Sequence, residues 1–132
     1  MNQPTILLIS TDRYQSRIIY DMLSQAGYQV QISGPGSAGL EMVQVMKPEL
    51  LLLDWKLPDL DSLEIIHMLR SEERTAVLPI VLIGNMGIED RLSGLEAGAD
   101  LCLDGLPQRN VLVARLRALM RRVHPQRPSC QA

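Results

Sequence analysis

The stretch ELLLLDWKLPDLDS, residues 49–62, decides how the rest of the chain is read. Four leucines, Leu50 to Leu53, run straight into a carboxylate, Asp54. Apolar side chains on successive residues cover both faces of a strand, so this one belongs inside a sheet that is buried on both sides. An acid at the end of such a strand sits at the lip of the core. There an ionised carboxylate is costly unless a partner or a function holds it. Pro58, Asp59 and Asp61 then have turn chemistry, with the two acids expected to flank a turn and cap the helix that follows.

Working outward, the same unit recurs. Thr5–Ser10 is a short apolar strand. Tyr14, Ile18 and Met22 return every four residues, beside Ile19 and Leu23, as one face of a helix that Gly27 ends. YQVQIS (28–33) alternates as a strand, and residues 37–46 form a helix before Pro48. After Asp54 come a helix with Leu63, Ile65, Ile66 and Leu69, a strand at 78–83, a helix at 88–97 and a brief strand at 101–103. Asn110 is a cap for the last helix, whose face is Leu112, Leu116, Leu119 and Val123. Five strand–helix units in succession predict an α/β fold with a parallel sheet and helices on both faces. In such sheets ligand chemistry gathers at the carboxyl ends of the strands, which is where Asp54 lies. One domain is expected over 1–123, and the Pro-rich residues 124–132 read as a flexible tail or the start of a linker.

The 132 residues carry a formal net charge of -2 and are 46% hydrophobic, which gives no general attraction to nucleic acid or to an anionic membrane. No apolar run reaches the length of a membrane span, and the N-terminus lacks signal-peptide character, so a cytoplasmic location is expected. Cys102 reads as a small core residue. Cys130, His67 and His124 offer no metal-ligand spacing. No nucleophile–base pair and no phosphate-cradling glycine loop stands out, so an enzyme is not expected. STDRYQS (10–16) is only a thin candidate for the phosphate loop of a nucleotide-binding protein.

Four stretches together, in order and at nearly the right spacing, resemble the receiver domain of two-component response regulators, the CheY-like family. They are LLLLDWKLPDLDSLEII, GYQV, GLEAGAD and LVARLRALMRR, the last most similar to the OmpR/PhoB-like subgroup. The resemblance spans about residues 5–123. It implies a flavodoxin-like sheet of order 2-1-3-4-5, with Asp54 as the residue that takes a phosphoryl group from a histidine kinase. It also implies Mg²⁺, held by two acids after strand 1, the aspartate and a backbone carbonyl two residues later, here Lys56.

Carried over residue by residue, the pattern departs from the family. The paired acids fall on Ser10 and Thr11. Asp12 is the next residue, reachable only by a one-residue slip, and with Gln15 it also reads as a helix cap. The hydroxyl after strand 4 falls on Gly84, the lysine after strand 5 on Gly105, and the aromatic switch on Cys102. The pocket expected is therefore Ser10, Thr11, Asp12, Asp54, Lys56, Gly84 and Gly105, with weak Mg²⁺ binding through Asp12, Asp54 and the Lys56 carbonyl. The resemblance also implies a homodimer face on helix 4, strand 5 and helix 5, here Arg91, Leu92, Leu95, Glu96, Asp100, Leu101 and Arg115. The expectation is an atypical receiver acting through protein–protein contacts, with a conventional phosphorylated receiver and a small nucleotide-binding protein as alternatives. None of these residues is expected to contact nucleic acid or membrane directly.

Overall fold

The computed structural model describes residues 3–123, so the tail expected over 124–132 lies outside it. Strands and helices alternate as β1 (Thr5–Ile9), α1 (Arg13–Gln25), β2 (Gln29–Ser33), α2 (Gly36–Met46), β3 (Leu50–Asp54), α3 (Ser62–Ser71), β4 (Ile80–Gly84), α4 (Ile88–Ala97), β5 (Leu101–Asp104) and α5 (Arg109–Val123). The strands form one parallel sheet in the order β2-β1-β3-β4-β5.

The unbroken apolar strands split into two cores by simple alternation. Ile6, Leu8, Leu50, Leu52, Val81 and Ile83 face α1 and α5, packing on Ile19, Leu23, Leu112, Leu116 and Leu119. Leu7, Ile9, Leu51, Leu53, Ile80 and Leu82 face the other way, onto α2, α3 and α4. All of β3, including Asp54, is buried. α4 can settle onto this second face because its residue nearest the sheet is Gly94. A Cβ there would lie 2.6 Å from Leu82 and 2.9 Å from the Cys102 sulfur.

Several boundaries differ from the sequence reading, each for a local reason. β1 ends at Ile9, because Ser10 turns its hydroxyl toward β3. Leu78 donates its N–H to Thr75 in a turn, so β4 starts at Ile80, and pairing with Asp104 carries it to Gly84. α5 starts at Arg109, and its first ladder bond runs from Leu112 N–H to the Gln108 carbonyl. Asn110 therefore lies inside the first turn and is not the cap. Asp61 does cap α3, accepting from Leu63 N–H at 3.0 Å. Asp59 does not: it reaches back to the start of α2 and accepts from Gly36 N–H at 2.8 Å and Ser37 N–H at 3.0 Å. Among the described residues no helix is long and apolar enough to cross a membrane.

Candidate functional site

Register places the chemistry. Ile9 pairs with Leu53, Asp54 with Ile83 and Gly84 with Asp104, so the residues that follow β1, β3, β4 and β5 meet at one edge of the sheet. There the Ser10 hydroxyl donates to Asp54 Oδ2 at 2.8 Å, and the Lys56 backbone N–H donates to Oδ1 at 3.2 Å. Ser10 Oγ in turn accepts from Asp12 N–H at 3.1 Å, which ties the loop after β1 to the acid. Burial pushes the Asp54 carboxyl above its usual range. The bonds from Ser10 and Lys56 pull it down, and the charge of Asp12 pushes it up again. Asp12 itself caps α1, accepting at Oδ1 from Gln15 N–H at 3.1 Å.

The opposite side of Asp54 is bare backbone. Gly84 has φ +147° and Gly105 has φ +84°, and Gly105 N–H donates to the Gly84 carbonyl at 2.9 Å. A Cβ on Gly84 would lie 3.1 Å from the Trp55 Cβ and 3.4 Å from Asp54 Oδ1, whereas one on Gly105 would meet open space. Both backbones are ones that side-chain-bearing residues rarely adopt. A hydroxyl at position 84 or a lysine at 105 would thus require the loop itself to move. Asp104, just before Gly105, holds that loop by accepting from Met86 N–H at 3.1 Å.

The sequence profile described as "Response regulator receiver domain" matches residues 6–117. This chain belongs to the response regulator receiver domain family. The DNA-binding dual master transcriptional regulator RpaA of Synechocystis is 36% identical over 90% of this chain and 50% of its own length. The response regulator MprA of Mycobacterium leprae is 40% identical over 91% of this chain and 52% of its own. Both are OmpR-like response regulators, as the α5 sequence suggested. The chain thus spans about half the length of these relatives. A signal receiver domain of a histidine kinase from Syntrophus aciditrophicus superimposes with a TM-score of 0.85 over 98% of both chains at 21% identity, a likeness of fold.

Receiver domains typically bind Mg²⁺, and Mg²⁺ takes oxygen ligands in a near-octahedral set in which carboxylates neutralise the charge. The residues of this receiver do not fit a tight site of that kind. Hydroxyls stand at both acid positions, and Ser10 directs its O–H at the very carboxylate a cation would need. Asp12 lies close enough to raise the Asp54 pKa, yet it is engaged as a helix cap. Among the described residues no group of three His, Cys, Asp or Glu side chains gathers, here or elsewhere.

On the α4–β5–α5 face of the receiver, Leu92 and Leu95 are half-exposed, and Ile88, not singled out by sequence, is 77% exposed on the same stripe. Glu96 and Arg115 are exposed, while Arg91 and Leu101 are partly covered. Asp100 is held differently from the expectation. Its Oδ2 accepts from Arg70 at 3.0 Å and from Ile80 N–H at 2.9 Å, so its charge is already used within the chain. Arg70 also donates to the carbonyls of Gly98, Thr75, Ala76 and Leu78. It clamps α3, the loop before β4 and the turn before β5. Cys102 is half-buried rather than core, with its sulfur 3.6 Å from the Arg91 carbonyl, and burial raises the thiol pKa.

Proposed function

We propose that this receiver domain works as a signalling module centred on Asp54, with Mg²⁺-dependent phosphorylation weak and output carried by contacts with partner proteins. The observation behind this reading is the pair of hydrogen bonds on the Asp54 carboxylate. Both oxygens are satisfied by the Ser10 hydroxyl and the Lys56 backbone N–H, hydroxyls stand at both positions of the acid pair, and glycine stands at the position of the family's lysine. A phosphoryl group adds nearly two negative charges at neutral pH. No cationic side chain stands at the position, now Gly105, that the family uses to offset them. The partners of this reading are a histidine kinase or another signalling protein, and a second copy through α4, β5 and α5.

A second reading has a specific observation in its favour. Relatives with 38–40% identity are named as response regulators, which gives a conventional receiver, phosphorylated on Asp54 by a histidine kinase, more support than the atypical one. RpaA is named as DNA-binding. Any such output of this protein would rest on residues outside this chain, since its own surface carries no net positive charge. Incubation with acetyl phosphate, followed by intact-mass measurement, separates the readings. The atypical receiver takes up phosphate slowly and with little response to Mg²⁺. Rapid, stoichiometric, Mg²⁺-dependent labelling that Asp54→Asn abolishes would establish the conventional one.

A further inference from the structure

β2 is an outer strand of the sheet, and among the described residues it is paired with β1 alone. Gln29 N–H donates to the Pro4 carbonyl, and the Ser33 carbonyl accepts from Ser10 N–H. Successive residues of a strand turn their backbone groups to opposite sides. Gln29, Gln31 and Ser33 therefore face β1, and the N–H and C=O of Val30 and Ile32 face outward. Exposed edges are ordinarily blunted by a charge, a proline or a bulge. QVQIS has none of these: it is uncharged, lacks proline and keeps unbroken register with β1 from Gln29 to Ser33. Along the same edge α1 presents one exposed stripe, Arg13, Arg17, Tyr20 and Ser24. Arg13 and Arg17 lie beside Ile32 and Gly34, whereas Tyr20 and Ser24 lie beside Gln29, Val30 and Gln31. The stripe thus changes from arginine to tyrosine close to the level of Gln31.

We propose that β2 pairs antiparallel with β2 of a second copy about a two-fold axis at Gln31, joining two sheets edge to edge. Val30 of each copy then exchanges both backbone bonds with Ile32 of the other, which satisfies every outward group at the centre of the strand. Gln31 meets its own copy at the close, non-hydrogen-bonded position. Two neutral amides can bond each other there, whereas two like charges would repel. Gln29 comes opposite Ser33. The same axis reverses the α1 stripe, so Arg17 of each copy meets the Tyr20 ring of the other, a cation over an aromatic face, and Arg13 meets Ser24. No like charges are opposed in either register. This self-complementarity of strand and helix assigns the edge to a second copy rather than to an unrelated strand. The contact is short, so pairing sets in at higher concentration than through the α4–β5–α5 face, which lies at the opposite edge of the sheet.

The whole chain carrying Leu95→Asp, which disables the α4 stripe, isolates this edge for the test. Sedimentation and amide hydrogen exchange by NMR are followed together from low micromolar to millimolar protein. The Val30 and Ile32 amides should exchange freely in the monomer and at least about tenfold more slowly as the dimer forms. Gln31, already turned to β1, should change less. Gln31→Lys sets two ammonium groups against each other at the axis and should weaken the dimer at least about tenfold. Gln44→Lys makes the same charge change on the side of α2 that lines a different cavity, and should leave pairing as it was. Arg17→Ala should weaken the dimer roughly fivefold, because the contact it removes occurs twice. A protein that stays monomeric to millimolar concentration would overturn the proposal, as would a dimer unaffected by Gln31→Lys. Val30 and Ile32 amides protected equally at every concentration would mean that the chain covers its own edge, and would also overturn it. Protection that follows added capped peptide of the 28–33 sequence but not protein concentration would assign the edge to a strand from elsewhere, against a second copy.

Discussion

Asp54 is held in a conflict of two forces. Burial disfavours its charge, while two donors, Ser10 and the Lys56 amide, favour it, and burial prevails. The folded protein therefore retains a proton that the unfolded chain has already released at pH values just above the ordinary carboxylate range. Stability contributed by this residue is present below that range and falls as pH rises through the raised folded value. Asp54→Asn removes the titration but keeps the shape: its amide oxygen can accept from Lys56 and its nitrogen can donate to Ser10 Oγ. The variant is expected to melt at or above the wild-type temperature at neutral pH, with the gain vanishing in acid. A lower melting temperature at neutral pH would show that the ionised carboxylate stabilises this fold. The identity of Asp54 as the residue to watch was legible from sequence, because only the end of an apolar strand gives an acid this environment. Its partner was not. Nothing in the residue name Ser10 says whether the side chain turns toward β3 or toward water.

Among elements, the least legible feature is the way one helix borrows its cap from another loop. α2 has Pro35 at its N-cap position and no side chain of its own to bond its first N–H groups. Asp59, in the loop before α3, supplies both bonds. Sequence spacing points a turn acid at the next helix, as it did correctly for Asp61, and cannot see a partner 23 residues away. Arg70 was missed for the same reason: its five acceptors come from two segments outside its own helix, residues 75–78 and 98–100. The Asp59 carboxyl is held below its usual range by the Ser37 N–H, then by that of Gly36. Its contribution is therefore present above the unfolded carboxylate range and lost as pH falls through the lowered folded value. Thermal melts should rank wild type above Asp59→Asn and that above Asp59→Ala at neutral pH, with the wild-type advantage fading in acid. Equal melting temperatures at neutral pH would mean that α2 does not depend on this cap.

For the whole molecule, a parallel sheet covered on both faces followed from five apolar runs separated by helical periodicity, whereas the strand order 2-1-3-4-5 came from the resemblance to receiver domains. What the molecule does with that frame depends on two surfaces. On α4, Ile88, Leu92 and Leu95 form an exposed apolar stripe, while Asp100 is occupied by Arg70, so association through this face would rest on apolar contact with charge as a secondary term. Exposed ion pairs contribute about 0–1 kcal/mol each. Sedimentation velocity without any phosphodonor should therefore show a weak dimer that Leu95→Asp disrupts strongly and Arg115→Glu only slightly. A protein monomeric at high micromolar concentration would rule out constitutive pairing. At the Asp54 edge, the account rests on a pocket whose acid is satisfied by the chain itself. Trp55 directly follows that acid and is half-buried, which makes its fluorescence the convenient probe of the pocket. The most direct measurement is Trp55 fluorescence during titration with Mg²⁺, alone and with beryllofluoride. The account expects no saturable change at sub-millimolar Mg²⁺, whereas saturable quenching in that range, abolished by Asp54→Asn, would contradict it.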